Sequence, residues 1–272
     1  MGERLGPFPG RLDADLVRRY AAATRDPSPL VAAGLVVPAV AVVTQVWHAM
    51  EAGLAALLPD PVRASATGAV HGEHDIVLHR PLVPGEPLRT WVQGHGARPA
   101  GRNLAVTLHH RTVDGSDRLV AEQWWTTIFL GAIGEPVGAG APDHHFPERA
   151  GDTPLGAVAV GTDNAMVHGY AEVSGDRSEH HFTAEAARRS GFDRPFLHGL
   201  CTMALCAHGV LTVVGEGGAD RVRRVAVRFA APVFIGDDVA IEVRRAGDGA
   251  FAFEAAAGGG AVIRNGLLEL RP

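Results

Sequence analysis

Residues 170–210 read YAEVSGDRSEHHFTAEAARRSGFDRPFLHGLCTMALCAHGV, a turn-rich segment followed by an apolar helical run. A carboxylate, Asp176, and an imidazole, His181, lie five residues apart in the first part. Around them Ser174, Gly175 and Ser178 favour a local turn over a continued helix, because short polar side chains bond nearby backbone groups. Phe196-Leu197-His198-Gly199 then opens the helical run, with Leu200, Met203, Ala204, Ala207 and Leu211 at core-packing spacing. A Gly at a helix start leaves backbone N–H groups free, with a positive partial charge suited to a developing oxyanion. Base, acid and oxyanion donor therefore fall within one short stretch.

The stretch resembles the signature of the MaoC-like, or hydratase 2, family of enoyl-thioester hydratases, roughly SGDxNPxHxDPxxAxxAGFxxPILHGL. Ser174, Gly175, Asp176, His181, Ala187, Ser190-Gly191-Phe192, Pro195 and Leu197-His198-Gly199-Leu200 occupy matching places. Ser178 stands where the family usually has Asn, Glu179 where it has Pro, and Thr183-Ala184 where it has Asp-Pro. The resemblance implies an α+β fold of the hotdog type, in which a curled antiparallel sheet wraps one long helix. It also implies R-stereochemistry at the hydroxyl carbon of the product. His180 sits at a usually apolar family position and is expected to be structural or pocket-lining, and His208 to be structural. Ser178, Phe196 and His198 are expected at the substrate, His198 also fixing the turn by hydrogen bonding.

Composition narrows the function classes. With 272 residues the chain suits one large domain or two small ones, and 46% apolar residues are ample for a core. A formal net charge of −5 argues against a nucleic-acid partner. Cys201 and Cys206 cannot build a disulfide framework and read as small core residues. The opening MGERLGPFPG lacks a signal-peptide pattern, and Gly6 stands where myristoylation wants Ser or Thr. The apolar run 32–46 is short for a bilayer and contains Gln45. These features predict a soluble cytoplasmic protein with no membrane partner.

The order of elements repeats. In the first part, helices are expected over 13–23 and 38–58, then strands over 66–79, 88–96, 104–113 and 119–130. Residues 131–156, rich in Gly, Pro and Ala, read as a linker, and His144-His145 there lack further ligands for a metal. A helix over 163–173 with Thr162 as N-cap, the long helix 199–214 and strands over 222–229, 238–245, 251–257 and 261–270 complete the second part. At an offset of 150, Tyr20-Ala21 matches Tyr170-Ala171 and Asp26 matches Asp176, while His181 falls on Val31. His79 to Glu86 resembles Ala230 to Asp237 at an offset of 151. Two homologous halves follow, a double hotdog: 1–130 degenerate, 131–156 linker, 157–272 catalytic.

The expected substrate is an enoyl thioester of coenzyme A or acyl carrier protein. Asp176 and His181 would hold and deprotonate a water, and the Gly199 N–H would stabilise the enolate oxygen. No metal, flavin or nicotinamide motif appears, so no cofactor is expected. Ser178, shorter than Asn, leaves conjugate addition of an amine as the alternative. A thioesterase would want a carboxylate on the long helix, which has none before Glu216. A non-catalytic acyl-thioester-binding subunit would not need Asp176, His181 and Gly199 together, and a homodimer is compatible with the sequence.

Overall fold

The computed structural model describes residues 4–142, 153–215 and 218–272. In chain order β1 (Leu5–Arg11) leads to α1 (Ala14–Ala23), α2 (Pro29–Ala32), a 3-10 stretch at Ala39–Gln45, α3 (Trp47–Leu57) and α4 (Asp60–Ser65). Strands β2 (Gly68–Leu78), β3 (Pro87–Ala100), β4 (Asn103–Asp114), β5 (Leu119–Leu130) and the short β6 (Val137–Gly138) follow. The second half holds β7 (Gly156–Gly161), α5 (Asn164–Ser174), a 3-10 turn at Glu179–His181, α6 (Ala184–Arg189) and α7 (Gly199–Val214). A 3-10 turn at Ala219–Arg221 then precedes β8 (Val222–Phe229), β9 (Asp238–Gly247), β10 (Ala250–Ala257) and β11 (Gly260–Leu270).

Local chemistry starts the helices at equivalent places. Asp13 caps α1 by accepting the Leu16 N–H at 2.8 Å, and Asp163 caps α5 by accepting the Met166 N–H at 2.9 Å. Thr162, expected as that second cap, lies one residue early, and its hydroxyl donates to the Asp237 carbonyl at 2.8 Å. The continuous helix expected over 38–58 is instead broken. Residues Ala39–Gln45 are 3-10, and α3 continues after a bend of 52°. Val40, Val42, Val43 and Val46 supply the reason, since β-branched side chains crowd the preceding turn of an α-helix. No single helix among the described residues is long and apolar enough to cross a membrane, and Ala39 to Val43 are buried in protein.

The strands form one antiparallel sheet in the order β1-β3-β4-β5-β2-β8-β11-β10-β9-β7, with β6 on β3. From the centre outward, both sides follow the same connectivity: β2, β5, β4, β3, β1 and β8, β11, β10, β9, β7. Helix α3 packs on β1, β3 and β4, and α7 packs on β7 to β10. Every residue of α7 from Leu200 to Val210, including both cysteines, is buried, as a helix enclosed by a sheet requires. Glycines permit the close approach of both helices. A Cβ at Gly53 would come within 3.0 Å of Leu108, and one at Gly209 within 2.7 Å of Ile241.

Three strands lie outside the sequence expectation. β1 carries Pro7 and Pro9, tolerated because it is an edge strand, and β7 forms the opposite edge. β6 and the start of β7 fall inside the stretch expected to be linker, whose His144 and His145 lie outside the described residues.

β2 and β8 join the two sides, with Glu73 opposite Arg228, Asp75 opposite Ala226 and Val77 opposite Arg224. Arg224 grips the buried Asp75 with Nε on Oδ1 at 3.0 Å and Nη2 on Oδ2 at 2.5 Å. Arg228 reaches Glu73 at 3.0 Å, and Arg98 reaches the same carboxylate at 3.1 Å. Arg224→Met would leave the Asp75 charge buried without this partner, so a loss of about 3–5 kcal/mol is expected in urea unfolding. Adding Asp75→Asn should restore part of it, and equal stability of Arg224→Met and the parent would remove the seam's assigned role.

Buried imidazoles make the fold acid-sensitive. Neither ring nitrogen of His110 has a partner among the described residues, and burial, then His74, pushes it down to about 3. Burial likewise pushes His74 down to about 4, against its bond to Gln123 at 3.1 Å. An unfolded histidine takes its proton near pH ~6.5, whereas these two resist it, so acid favours the unfolded chain. The melting temperature should be flat above neutrality and fall as pH drops from ~6.5 toward 4. His110→Leu should shallow that fall, measured by circular dichroism melts across the range.

Candidate active site

The site begins where α5 stops. Ser174 ends the helix with its hydroxyl on the Tyr170 carbonyl at 2.7 Å, and Gly175 follows in the left-handed region at φ 82°. That conformation suits Gly at a helix C-terminus, and it turns the chain so that Asp176 faces inward. The Asp176 Oδ1 accepts the Ser178 N–H at 3.0 Å and the Ser178 hydroxyl at 2.6 Å. The short side chain of Ser178 therefore closes a turn on the carboxylate.

His181 ends the next 3-10 turn and is buried. Its Nδ1 lies 2.9 Å from the Phe196 carbonyl oxygen. A carbonyl only accepts, so Nδ1 carries a hydrogen, and Nε2 is the nitrogen left to exchange a proton. Phe196 is held for this by the bridge Phe196–Phe234 and by the Leu197 N–H on the Val233 carbonyl at 2.8 Å. The His181 Nε2 lies 3.6 Å from the Asp176 Oδ2. That distance is too long for a good direct bond, but it suits one water donating to both. Thr183 caps α6 by accepting the Ala186 N–H at 3.2 Å, doing there what an Asp at that position would do.

Electrostatics sort the charged forms. Burial alone would raise Asp176, but the imidazoles of His181 and His198 and the Ser178 hydroxyl hold its carboxyl well below the usual range. His198 caps the site from behind. Its ring stacks on His181 with centroids 3.8 Å apart, and its Nε2 donates to the Asp176 carbonyl at 3.1 Å. Burial, then His181, pushes His198 down to about 3, so the stacked ring is neutral.

Gly199 is the first residue of α7, and no side chain caps that end. A Cβ there would sit 3.2 Å from the Phe229 ring, so the absent side chain keeps the helix terminus open to a ligand. Asp176, His181 and His198 offer ligand atoms within 4.8 Å of one another. The two rings stack at an interplanar angle of 29°, so their in-plane lone pairs run side by side and do not converge on one ion.

All six residues singled out from the sequence line one cavity of about 370 Å³: Asp176, Ser178, His181, Phe196, His198 and Gly199. The first half, expected in a double hotdog to help enclose an acyl tunnel, supplies the far wall through residues that sequence reading did not single out: Val43, Trp47, Met50, Leu54, His71 and Trp125. His71 stacks on Trp125 with centroids 4.2 Å apart, and Trp125 faces Trp47 at 5.8 Å. Strand alternation in β5 places Trp125 on the inner face, but only the tertiary fold puts that face on this cavity. In the first half, Val31, at the place matching His181, is buried in the core. The space beside Asp26 shrinks to about 20 Å³, walled by Tyr20, Val40 and His208.

Comparison with known proteins agrees with this geometry. Residues 145–259 match the family model of the MaoC like domain. The chain is 33% identical over 208 residues to 3-hydroxyacyl-thioester dehydratase Y of Mycobacterium tuberculosis, covering 72% of this chain and 69% of that protein. In fold it is similar to a MaoC-like dehydratase from Phytophthora capsici, with a TM-score of 0.83 at 21% identity over 98% of this chain and 95% of that one. It is also similar to a Mycobacterium tuberculosis protein with a double hotdog fold, at TM-score 0.61 and 16% identity, covering 98% and 94%. The expected α+β double hotdog is therefore the fold observed. The chain belongs to the MaoC-like dehydratase family.

Proposed function

We propose that this chain interconverts trans-2-enoyl and (R)-3-hydroxyacyl thioesters by adding or removing water, at a single site in residues 157–272. The observation that carries this reading is the pair Asp176 Oδ2 and His181 Nε2. Two acceptors 3.6 Å apart line a mostly apolar cavity at an uncapped helix start. A water between them donates to both and turns its oxygen toward the β-carbon of a bound enoyl thioester. One acceptor takes a proton as the C–O bond forms, and the pair returns a proton to the α-carbon. Negative charge on the thioester oxygen develops against the Gly199 N–H, which the α7 N-terminus reinforces.

The residues divide the work by environment. Asp176 stays ionised, and His181 presents its lone pair because the Phe196 carbonyl holds the other nitrogen's hydrogen. Ser178 fixes Asp176 by a charge-assisted bond, so it serves the water site directly and favours water over an amine. Residues 1–130 act as a degenerate half whose inner face shapes the acyl cavity. The thioester carrier is coenzyme A or acyl carrier protein, and no cofactor enters the reaction.

The test is loss of conjugated absorbance from trans-2-octenoyl-CoA, with product mass read in buffer and with added glycine. Loss in buffer with a product heavier by one water is expected. Loss only with glycine, giving an amine adduct, would overturn the reading. Asp176→Asn and His181→Ala should each lower kcat by about 10²–10⁴-fold with the fold retained. Ser178→Ala removes a hydrogen bond to a charged group, worth about 1.5–3 kcal/mol, and should lower kcat by about tenfold or more. Unchanged kcat in both Asp176→Asn and His181→Ala would remove the catalytic assignment.

A further inference from the structure

In the far wall of the cavity, three side chains of the first half form a hydrogen-bonded ladder: Gln123, His74 and His71. The Gln123 Nε2 donates to the Val42 carbonyl at 3.4 Å, which leaves its Oε1 for His74. That oxygen only accepts, so the His74 Nε2, 3.1 Å away, carries a hydrogen. Burial pushes His74 down to about 4, so the ring is neutral and its Nδ1 is an acceptor. The His71 Nε2 lies 3.2 Å from that Nδ1 and is therefore the donor. Burial, then His74, pushes His71 well below its usual range, against the Glu73 carbonyl and the Asp176 charge. A neutral His71 with its hydrogen on Nε2 keeps a lone pair on Nδ1. No hydrogen-bond partner for that nitrogen exists among the described residues.

We propose that His71, with Thr127, selects acyl groups that carry a hydroxyl several carbons beyond the reacting ones. His71 is half-buried and lines the cavity. Thr127 stands opposite it across β2 and β5, lines the same space, and has no hydrogen bond from its hydroxyl among the described residues. A substrate hydroxyl can donate to the His71 Nδ1 while accepting from Thr127. The His71 ring lies flat on Trp125, with 3° between planes, and Phe229 packs beside it at 4.7 Å. Its in-plane edge, where the Nδ1 lone pair points, is thereby fixed. Phe229 also stands 3.2 Å from the place of a Gly199 Cβ, so one ring separates His71 from the thioester end. A plain alkyl chain would cover the lone pair with carbon, and a buried acceptor left unpaired is costly.

This inference rests on an acyl thioester occupying the cavity in the reaction proposed above, and equilibrium binding separates it from the chemistry. Octanoyl-CoA and its 6-, 7- and 8-hydroxy derivatives lack both the double bond and the 3-hydroxyl. Their dissociation constants, read by isothermal titration calorimetry, therefore report the cavity alone. At least one hydroxylated thioester should bind about tenfold tighter than octanoyl-CoA. His71→Phe keeps an aromatic ring against Trp125 without the acceptor and should bring that lead to near one. Thr127→Val leaves the ladder intact and should narrow the lead. If none of the three binds the parent more tightly than octanoyl-CoA, water serves the lone pair and the inference is overturned. A lead undiminished in either variant overturns it too. Hydration of trans-2-octenoyl-CoA without any hydroxyl lead removes the role of His71 alone. A lead that disappears in His71→Phe, in a protein that hydrates no enoyl thioester, overturns the reaction and keeps His71 as a binding group.

Discussion

Everything about the site depends on the pairing of β2 with β8. That pairing makes two curled half-sheets into one surface and sets α3 and α7 at a fixed distance across the cavity. Backbone hydrogen bonds alone would hold the strands, but not in one register. Asp75 and Glu73, clamped by Arg224 and Arg228, make a slipped register costly because it would strand buried carboxylates. The cavity between Asp176 and Trp125 is a consequence of that register.

Within the cavity, opposed forces produce a useful state. Burial acts against charge on Asp176 and on every imidazole nearby. His198 and His180 yield to burial and are neutral, while Asp176 is held ionised by the donors around it. The result is a fixed anion beside two neutral rings, His180 and His198. The Phe196 carbonyl fixes the His181 Nδ1 as a hydrogen donor without carrying charge itself.

Features set by local chemistry were legible in the sequence. The turn from Ser174 to Ser178, the helix from Gly199 to Val214 and most strands needed only short-range spacing and turn-formers to be found. The helix caps were readable to within a residue, and Asp163 displaced Thr162 because only its carboxylate reaches the Met166 N–H. Strands β1 and β7 were missed because prolines and glycines obscure the alternation at sheet edges. The break at Ala39–Gln45 was missed because an apolar run reads the same in an α-helix and in a 3-10 turn. The contribution of His71 and Trp125 needed contact with residues 105 and 51 positions before Asp176, which no local pattern encodes. His180 was visible as a residue, but its hydrogen-bond partner depends on ring orientation.

The two helices that face each other across the cavity differ in what a substitution can do. On α7, Gly199 lines the cavity at the end proposed for the chemistry, so change there would alter the reaction itself. On α3, Met50 and Leu54 line the same space and belong to the half where Val31 stands at the place matching His181. Substitutions along α3 would therefore reshape what the cavity admits while leaving the residues of the proposed water chemistry in place.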